Sequence, residues 1–424
     1  MDGAIAILIL LVTLLLVLLR PRGLPAALPA ALGGLLVLAL QLVSLHQAWE
    51  ILRFAQDALV FLIGMMIVSA IVERAEFFEW CATLAARSGR GSVRRLYLFI
   101  FVIGTVITAT LSLDATAIVL TPIVYAMAIR LKLRPLPFMF ACCFIANTAS
   151  LFMPISNLTN LLIYRALDFS FLRFSLIMFI PAVAAVATNA ALFSYLFRFD
   201  LIGHYTLSDK PFCPANRAFF RLSVASLVVI LLAIFAASVV HLPIGPIALA
   251  GGVVLLALTR ARGWMPFADT MRAVSWNLIV LVLGLFLVVQ AVENTLLAGV
   301  FVNALHALAP GDSFVQLLSI ALGSTLGANL INNIPMTIVA SSALRPALDA
   351  GTVHPAAGYA ALLGTNIGPN LTITGSLATL IWLSIVQGRG LSITARQYLR
   401  LGIVSTPLIL FSAVAGLWLS LRVF

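Results

Sequence analysis

NTASLFMPISNLTN at residues 147–160 and NIGPNLTITGSLAT at residues 366–379 decide the fold of this 424-residue chain. Each stretch places Pro or Gly together with Asn, Ser and Thr inside a long apolar segment. Proline removes a backbone donor and clashes with the preceding helical turn, and Gly and Asn are poor helix residues. The sequence therefore predicts two helices that unwind at these stretches.

The two stretches are related by an offset of 219 residues, which also applies outside them. It relates three pairs of polar residues: Asp114 and Asn333, Asn147 and Asn366, and Asn157 and Ser376. We therefore expect two copies of one unit. Membrane transporters are commonly built this way, with the substrate held between the repeats.

The composition indicates a bilayer protein. Hydrophobic residues make up 62% of the chain and charged residues 9%, far from the roughly 45–50% and 25% of soluble domains. Apolar runs long enough to cross the hydrocarbon core, some of them broken, predict ten spans, at about 4–19, 24–44, 57–72, 136–165, 174–197, 222–240, 244–259, 276–292, 357–387 and 401–421.

Residues 97–129 do not fit a simple span, because the run is too long and carries Asp114 in its middle. Both of its flanks are cationic, which places both ends on one side of the membrane. We expect a hairpin that dips in from the cytoplasm with its tip near 112–115. The offset then predicts a second hairpin at about 314–345, with its tip at 332–334.

The net charge of +11 is assigned to cytoplasmic loops rather than to nucleic-acid binding. With the N-terminus outside, the predicted inside segments hold 20 of the 25 Lys and Arg residues. The two copies then have opposite orientations. We expect a first membrane repeat at 1–197, a cytoplasmic linker at 198–221 and a second, inverted repeat at 222–424.

Asp114 is the only carboxylate deep in an apolar stretch, and an acid there is by default a proton carrier or a cation ligand. We assign it to proton coupling. Asp57, Glu73 and Glu293 lie at span ends and are read as interfacial. The breaks and hairpin tips supply amides, hydroxyls and free backbone groups that suit a small polar solute. The predicted substrate-binding residues are Asn147, Thr148, Ser156, Asn157, Asn332, Asn333, Asn366, Asn370, Thr372, Gly375 and Ser376. The alternative is that these side chains only join helices to each other.

Neither a metal nor another cofactor is indicated, because the four cysteines lack the spacing of zinc or haem ligands. Cys142 and Cys143 are adjacent on one helix and point about 100° apart, so we read them as core residues rather than a thiolate pair. An intramembrane enzyme is disfavoured, because Asp114 has no second buried acid and the histidines lie in predicted loops.

Several segments resemble the bacterial arsenite efflux permeases of the ion transporter superfamily. They are FFEW at 77–80, LDATAIVLTPIV at 113–124, FIANTASL at 144–151, SNLTN at 156–160, NNIP at 332–335, GPN at 368–370 and GSLATLIWL at 375–383. The resemblance covers nearly the whole chain. It implies a multi-pass protein of the bacterial inner (plasma) membrane that exports arsenite or antimonite, driven by proton influx. Some members work with a soluble ATPase docked on the cytoplasmic face.

The chain departs from that family at four positions. Asn147 and Asn366 stand where the family tends to carry an acid, Leu113 where it carries Asn, and Asn370 where it carries Lys. A neutral site suits a neutral metalloid trihydroxide, and it leaves Asp114 nearly alone as a titratable group. The alternative function is a sodium/proton or organic-anion carrier of the same superfamily.

Overall fold

The structure, a computed structural model, describes residues 2–19, 24–206, 212–240, 242–294 and 311–424. Regular structure in these residues is helical, apart from one isolated bridge between Ser92 and His204. Nine stretches of the described chain are long and apolar enough to cross a membrane. The predicted class, an all-helical integral membrane protein, is confirmed.

The helices of the first half follow one another in short steps. They are α1 (Asp2–Leu19), α2 (Ala27–Ala39), α3 (Leu45–Arg74), α4 (Phe77–Ser88), α5 (Val93–Thr110), α6 (Thr121–Arg130), α7 (Pro135–Ala149), α8 (Leu158–Ala166) and α9 (Phe171–Leu196).

The second half contains nine further helices within the described residues. They are α10 (Arg217–Val239), α11 (Ile244–Ala261), α12 (Phe267–Ala273), α13 (Trp276–Glu293), α14 (Phe314–Ile331), α15 (Asn333–Asp349), α16 (Ala356–Ile367), α17 (Leu377–Gly388) and α18 (Ala395–Val423). Part of the predicted linker, 207–211, lies outside the described residues.

Both predicted helix breaks are present. Between α7 and α8 the chain forms two 3-10 turns, at Ser150–Phe152 and Pro154–Ser156. Between α16 and α17 it forms two more, at Gly368–Asn370 and Ile373–Gly375. Each break contains a proline, Pro154 in the first and Pro369 in the second. A proline is expected to end a regular helix because it lacks a backbone donor and clashes with the preceding turn.

Two pairs of helices meet at the predicted hairpin tips. The arm α5 ends at Thr110, and the return arm begins with a π-helical turn at Ala115–Leu120 before α6. Pro122 has no N–H to donate to the carbonyl four residues earlier. Its neighbour Thr121 donates to the Thr116 carbonyl, five residues earlier, through both its N–H and its hydroxyl. In the second hairpin α14 runs directly into α15, with only Asn332 between them.

Two expectations about the first half were wrong. The third span begins at Leu45 rather than near 57, because the polar residues of its first turns lie on a water-accessible face of one long helix. Asp57 is consequently buried rather than interfacial. Its Oδ1 accepts from the Gly245 N–H at 2.9 Å, and its Oδ2 lies 3.7 Å from Nε of Arg165.

Close helix contacts join the two halves of the chain. A methyl group on Gly64 of α3 would overlap the backbone of Ala248 in α11, and Gly252 packs one turn further along the same contact. A methyl group on Gly284 of α13 would likewise overlap the backbone of Ala30 in α2, with Gly34 one turn further. Small residues spaced four apart allow such backbone approach in membranes.

We predict that Gly64→Ala destabilises the protein by about 1–3 kcal/mol, because the added methyl must push α3 and α11 apart. Thermal unfolding in detergent measures the change. Gly323→Ala in α14 is the matched control, since no heavy atom lies within 4 Å of its added methyl and alanine favours a helix. An equal or higher melting temperature for Gly64→Ala than for Gly323→Ala would contradict the close contact.

Candidate functional site

One cavity brings together both hairpin tips and both helix breaks. It has a volume of about 640 Å³ and is lined by Asp114, Asn333, Asn157 and Ser376, one residue from each of the four elements. The apolar side of its wall includes Leu113, Ile118, Leu158, Ile334, Leu377 and Ile381. Concave sites that combine an apolar wall with a few convergent polar groups are the usual form of a small-molecule site.

Asp114 stands at the first tip without a partner. Within the described residues, its carboxylate has neither a hydrogen bond nor an ion pair, although the Ser112 hydroxyl accepts from the Ala115 N–H at 3.2 Å beside it. Asn333 at the second tip is 3% exposed, and its side-chain oxygen has no hydrogen-bond partner in that part of the chain. Both groups therefore keep unused hydrogen-bonding capacity beside the cavity.

The breaks direct two helix N-termini at the same cavity. Asn157 caps α8 by accepting from the Thr159 N–H, and Ser376 caps α17 by accepting from the Ala378 N–H at 3.2 Å. Both caps are in extended conformation. Because helix N-termini carry partial positive charge, the cavity favours oxygen-rich solutes over cations at these two edges.

Asn366 holds the two breaks together. Its side-chain oxygen accepts from Asn157 Nδ2 at 2.8 Å and from the Thr159 hydroxyl at 2.6 Å, and its Nδ2 donates to Asn160 Oδ1. Asn160 in turn donates to the carbonyls of Ser150 and Met153 at 2.6 and 2.9 Å. The amide therefore satisfies polar groups that unwinding leaves inside the protein.

The remaining predicted residues do not line this cavity, and most of them support it. Asn147 donates to Asn370 Oδ1 at 2.8 Å, which adds a second amide link between the breaks. Ser156 donates to the Ala109 carbonyl of the first hairpin at 2.9 Å. The others hold neighbouring elements: Thr148 accepts from Asn189, Asn332 donates to the Thr374 carbonyl, Thr372 donates to Asn329, and Gly375 packs on Pro369.

Four polar residues of the site were not predicted from the sequence: three line the cavity, and the fourth joins the second hairpin to the second break. Arg272, Ser275 and Asn277 line the cavity from α12, α13 and their junction. Asn329 of α14 donates to the Gly368 carbonyl at 2.9 Å and so clamps the second hairpin to its break. For Asn277 and Asn329 the available sequence signal was a polar residue within an apolar run. For Arg272 the sequence carried no signal, because only the packing of α12 brings this residue to the cavity.

Asn332 is strained at the second tip, with φ 76° and ψ 156°. This region is essentially restricted to glycine and costs on the order of 1–3 kcal/mol for other residues, and such strain clusters at ligand clamps and switches. Two contacts hold the conformation: Asn332 Nδ2 donates to the Thr374 carbonyl, and Asn332 Oδ1 accepts from the Ile334 N–H. The strained tip is thereby tied to the second break.

Thiols lie away from the cavity. Cys142 and Cys143 are buried in the core, where the Cys143 sulfur lies 3.6 Å from the Tyr398 hydroxyl, and Cys213 is exposed. Across the described residues, no group of three His, Cys, Asp or Glu side chains could hold a metal ion.

Comparisons with known proteins agree with one another. The family model "Arsenical pump membrane protein" matches residues 5–421. The chain is similar to arsenical pump membrane proteins of Escherichia coli, at 29% identity with 98% of each chain covered, and of Yersinia enterocolitica, at 30% with 98% of each covered. It is also similar in fold to the crystal structure of the Alcanivorax borkumensis YdaH transporter, described as having an unusual topology. The TM-score is 0.62 at 13% identity, with 90% of each chain covered.

We predict that Asn366→Leu lowers the melting temperature in detergent markedly. The change removes the partner of Asn157 Nδ2, of the Thr159 hydroxyl and of Asn160 Oδ1, at about 1–3 kcal/mol for each unsatisfied group. Thr406→Val in α18 is the control: the Thr406 hydroxyl is buried and has no partner in the described residues, so its loss should leave the melting temperature nearly unchanged. Equal shifts in the two variants would remove Asn366 from its bridging role.

Proposed function

The chain belongs to the arsenical pump membrane protein family, and we propose that it exports arsenite or antimonite as a neutral trihydroxide in exchange for protons. It is a transporter involved in arsenical efflux and a multi-pass protein of the bacterial membrane. The observation that carries the proposal is the cavity where Asp114, Asn157, Asn333 and Ser376 converge.

The chemistry of the cavity supports a neutral, hydroxylated substrate. Asp114 is the only carboxylate in its lining and Arg272 the only cation, within the described residues, and the Arg272 side chain is 83% exposed at the rim. Amides and hydroxyls can both donate to and accept from the hydroxyl groups of a metalloid trihydroxide. A dicarboxylate would require cations deep in the cavity. Sodium sites are built from carbonyls and carboxylates, and Asp114 is the one carboxylate that the described lining supplies.

Asp114 supplies the coupling in this proposal. As a carboxylate it accepts hydrogen bonds from substrate hydroxyls, whereas in its protonated form it loses charge and part of its acceptor capacity. Proton binding and substrate binding at this residue therefore oppose each other. A proton arriving from outside displaces the substrate outward, and its later release toward the cytoplasm prepares the cavity for reloading.

We infer that the chain consists of two inverted repeats, 1–197 and 222–424, joined by a cytoplasmic linker at 198–221. The matched glycine contacts of α3 with α11 and α2 with α13 support this inference, as do the matched caps Asn157 and Ser376. Arg272 and Pro25 lie on the side of the cavity that charge counting assigns to the cytoplasm. In that orientation we propose that the cavity takes up substrate from the cytoplasm. Docking of a soluble ATPase stays a prediction.

We predict that Asp114→Asn abolishes arsenite accumulation driven by a pH gradient in everted vesicles, because an amide cannot carry the proton. Wild-type vesicles should accumulate arsenite and antimonite only when the lumen is acidic, and should not accumulate succinate. Asp349→Asn is the control, since Asp349 forms an exposed pair with Arg345 that contributes little. Normal pumping by Asp114→Asn would place the proton path elsewhere.

A variant with all four cysteines replaced by Ser or Ala should keep most of its arsenite transport. Recognition is assigned to amides and hydroxyls, and tight capture by thiolates would oppose release. Vesicle uptake normalised to the amount of inserted protein is the measurement, with Cys213→Ser as the exposed-site control. Complete loss traced to Cys142 or Cys143 would overturn the assignment.

A further inference from the structure

A second cavity meets the substrate cavity at Asp114 and runs along α3. It has a volume of about 200 Å³ and shares Asp114, Asn157 and Ser275 with the first cavity. Ser69 and Glu73 of α3 also line it, and residues four apart lie on the same face of a helix. A water molecule occupies about 30 Å³ in the liquid, so this cavity has room for several waters between the two carboxylates.

A third cavity continues from Glu73 toward the cytoplasm. This vestibule has a volume of about 670 Å³ and is lined by Glu73 and Glu79 together with the basic residues Arg87, Arg130 and Arg389. All three arginines belong to loops or helix ends that the charge distribution places inside the cell. Glu73 borders both cavities and therefore lies where the second cavity meets the vestibule.

Glu73 is exposed at the end of α3, where it adds nothing to helix stability. It lies in the last turn of α3, where the helix dipole disfavours a carboxylate. Within the described residues its carboxylate has neither a hydrogen bond nor an ion pair. Glu79 on the vestibule wall has one buried oxygen without a partner in that part of the chain. Burial raises the pKa of Glu79 above its usual value, against the lowering effect of a backbone hydrogen bond and with a smaller raising effect of the Glu76 carboxylate.

We propose that Glu73 carries protons between Asp114 and the cytoplasm along a lane formed by the second cavity and the vestibule, which branches from the substrate cavity at Asp114. The inference rests on the proton exchange proposed above. In the transfer, the O–H bond of protonated Asp114 breaks, the proton passes through intervening water, and an O–H bond forms on the Glu73 carboxylate. Electrons are not exchanged, and Glu73 then releases the proton into the vestibule.

Asp114 borders both the substrate cavity and the second cavity, so substrate and proton can reach it by different routes. The proton can leave Asp114 along α3 while a substrate enters from the side of α2 and α13. The charged groups around the lane set the field in which Glu73 works. Those lining its two cavities are Asp114, Glu79, Arg87, Arg130 and Arg389. Arg74 follows Glu73 on α3, and the helices packed against α3, with their ends, carry Glu76, Arg165, Arg217, Arg221, Arg260, Asp269, Arg272 and Glu293.

The test compares Glu73→Gln with Glu73→Asp in everted vesicles of the full chain. We expect Glu73→Gln to slow arsenite uptake driven by an acidic lumen by about tenfold or more, the order expected for loss of a positioned proton carrier. Glu73→Asp, which retains a carboxyl group, should restore most of the rate. Exchange of radiolabelled for unlabelled arsenite without a pH gradient should be unchanged in both, because it needs no net proton transfer.

Glu50→Gln is the matched control, since Glu50 lies near the other end of α3 in an exposed pair with His46 and lines neither cavity. Wild-type uptake rates in Glu73→Gln would overturn the inference and leave the proposed function intact. Parallel loss of gradient-driven uptake and of exchange would also overturn it, by assigning Glu73 to substrate passage or folding. Absence of any pH dependence in the wild type would instead refute the proposed proton exchange itself.

Discussion

This structure depends on one constraint: the backbone N–H and carbonyl groups inside the bilayer must be hydrogen-bonded. Unwinding a helix at membrane depth exposes carbonyl and N–H groups that no water can reach, and each unsatisfied group is costly. Here the breaks are satisfied by side-chain amides. Asn160 binds two carbonyls of the first break, Asn329 binds a carbonyl of the second, and Asn366 joins the breaks to each other. The cavity exists because these bonds hold two irregular segments side by side.

The same arrangement concentrates charge in one place. The amides that join the breaks are neutral, and among the described residues Asp114 has no ion-pair partner, since Arg272 lines the cavity only at its exposed rim. Asparagine side chains do not titrate, so the bonds that join the breaks are the same at every pH near neutrality. Proton exchange in the function proposed above then depends on Asp114 and Glu73.

The helix breaks and hairpin tips could be predicted from sequence because Pro, Gly and Asn act locally on the helix. The offset between the copies then placed Asp114, Asn157, Asn333 and Ser376 near one another, and the structure brings them to one cavity. Sequence could not tell which asparagines face that cavity and which join the breaks. Asn147 and Asn366 differ from Asn157 only in helix rotation and packing, which distant segments determine.

The error at Asp57 has a similar origin. Polar residues before position 57 indicated a loop, but they form the exposed first turns of α3, and the partners of Asp57 come from α8 and α11. Such partners lie about 110 and 190 positions away in the chain, beyond the reach of local propensity. Long-range pairing of this kind is visible only once the helices are packed.

The close glycine contacts between the two halves of the chain have a consequence for membrane insertion and folding. Helices α2 and α3 are synthesised early, but their closest partners, α13 and α11, belong to the second half of the chain. Until those helices are inserted, the small-residue faces of α2 and α3 can meet only lipid or one another. The first half therefore cannot finish packing until α11 and α13 have entered the membrane. The cavity, which takes residues from both halves, forms only after that step.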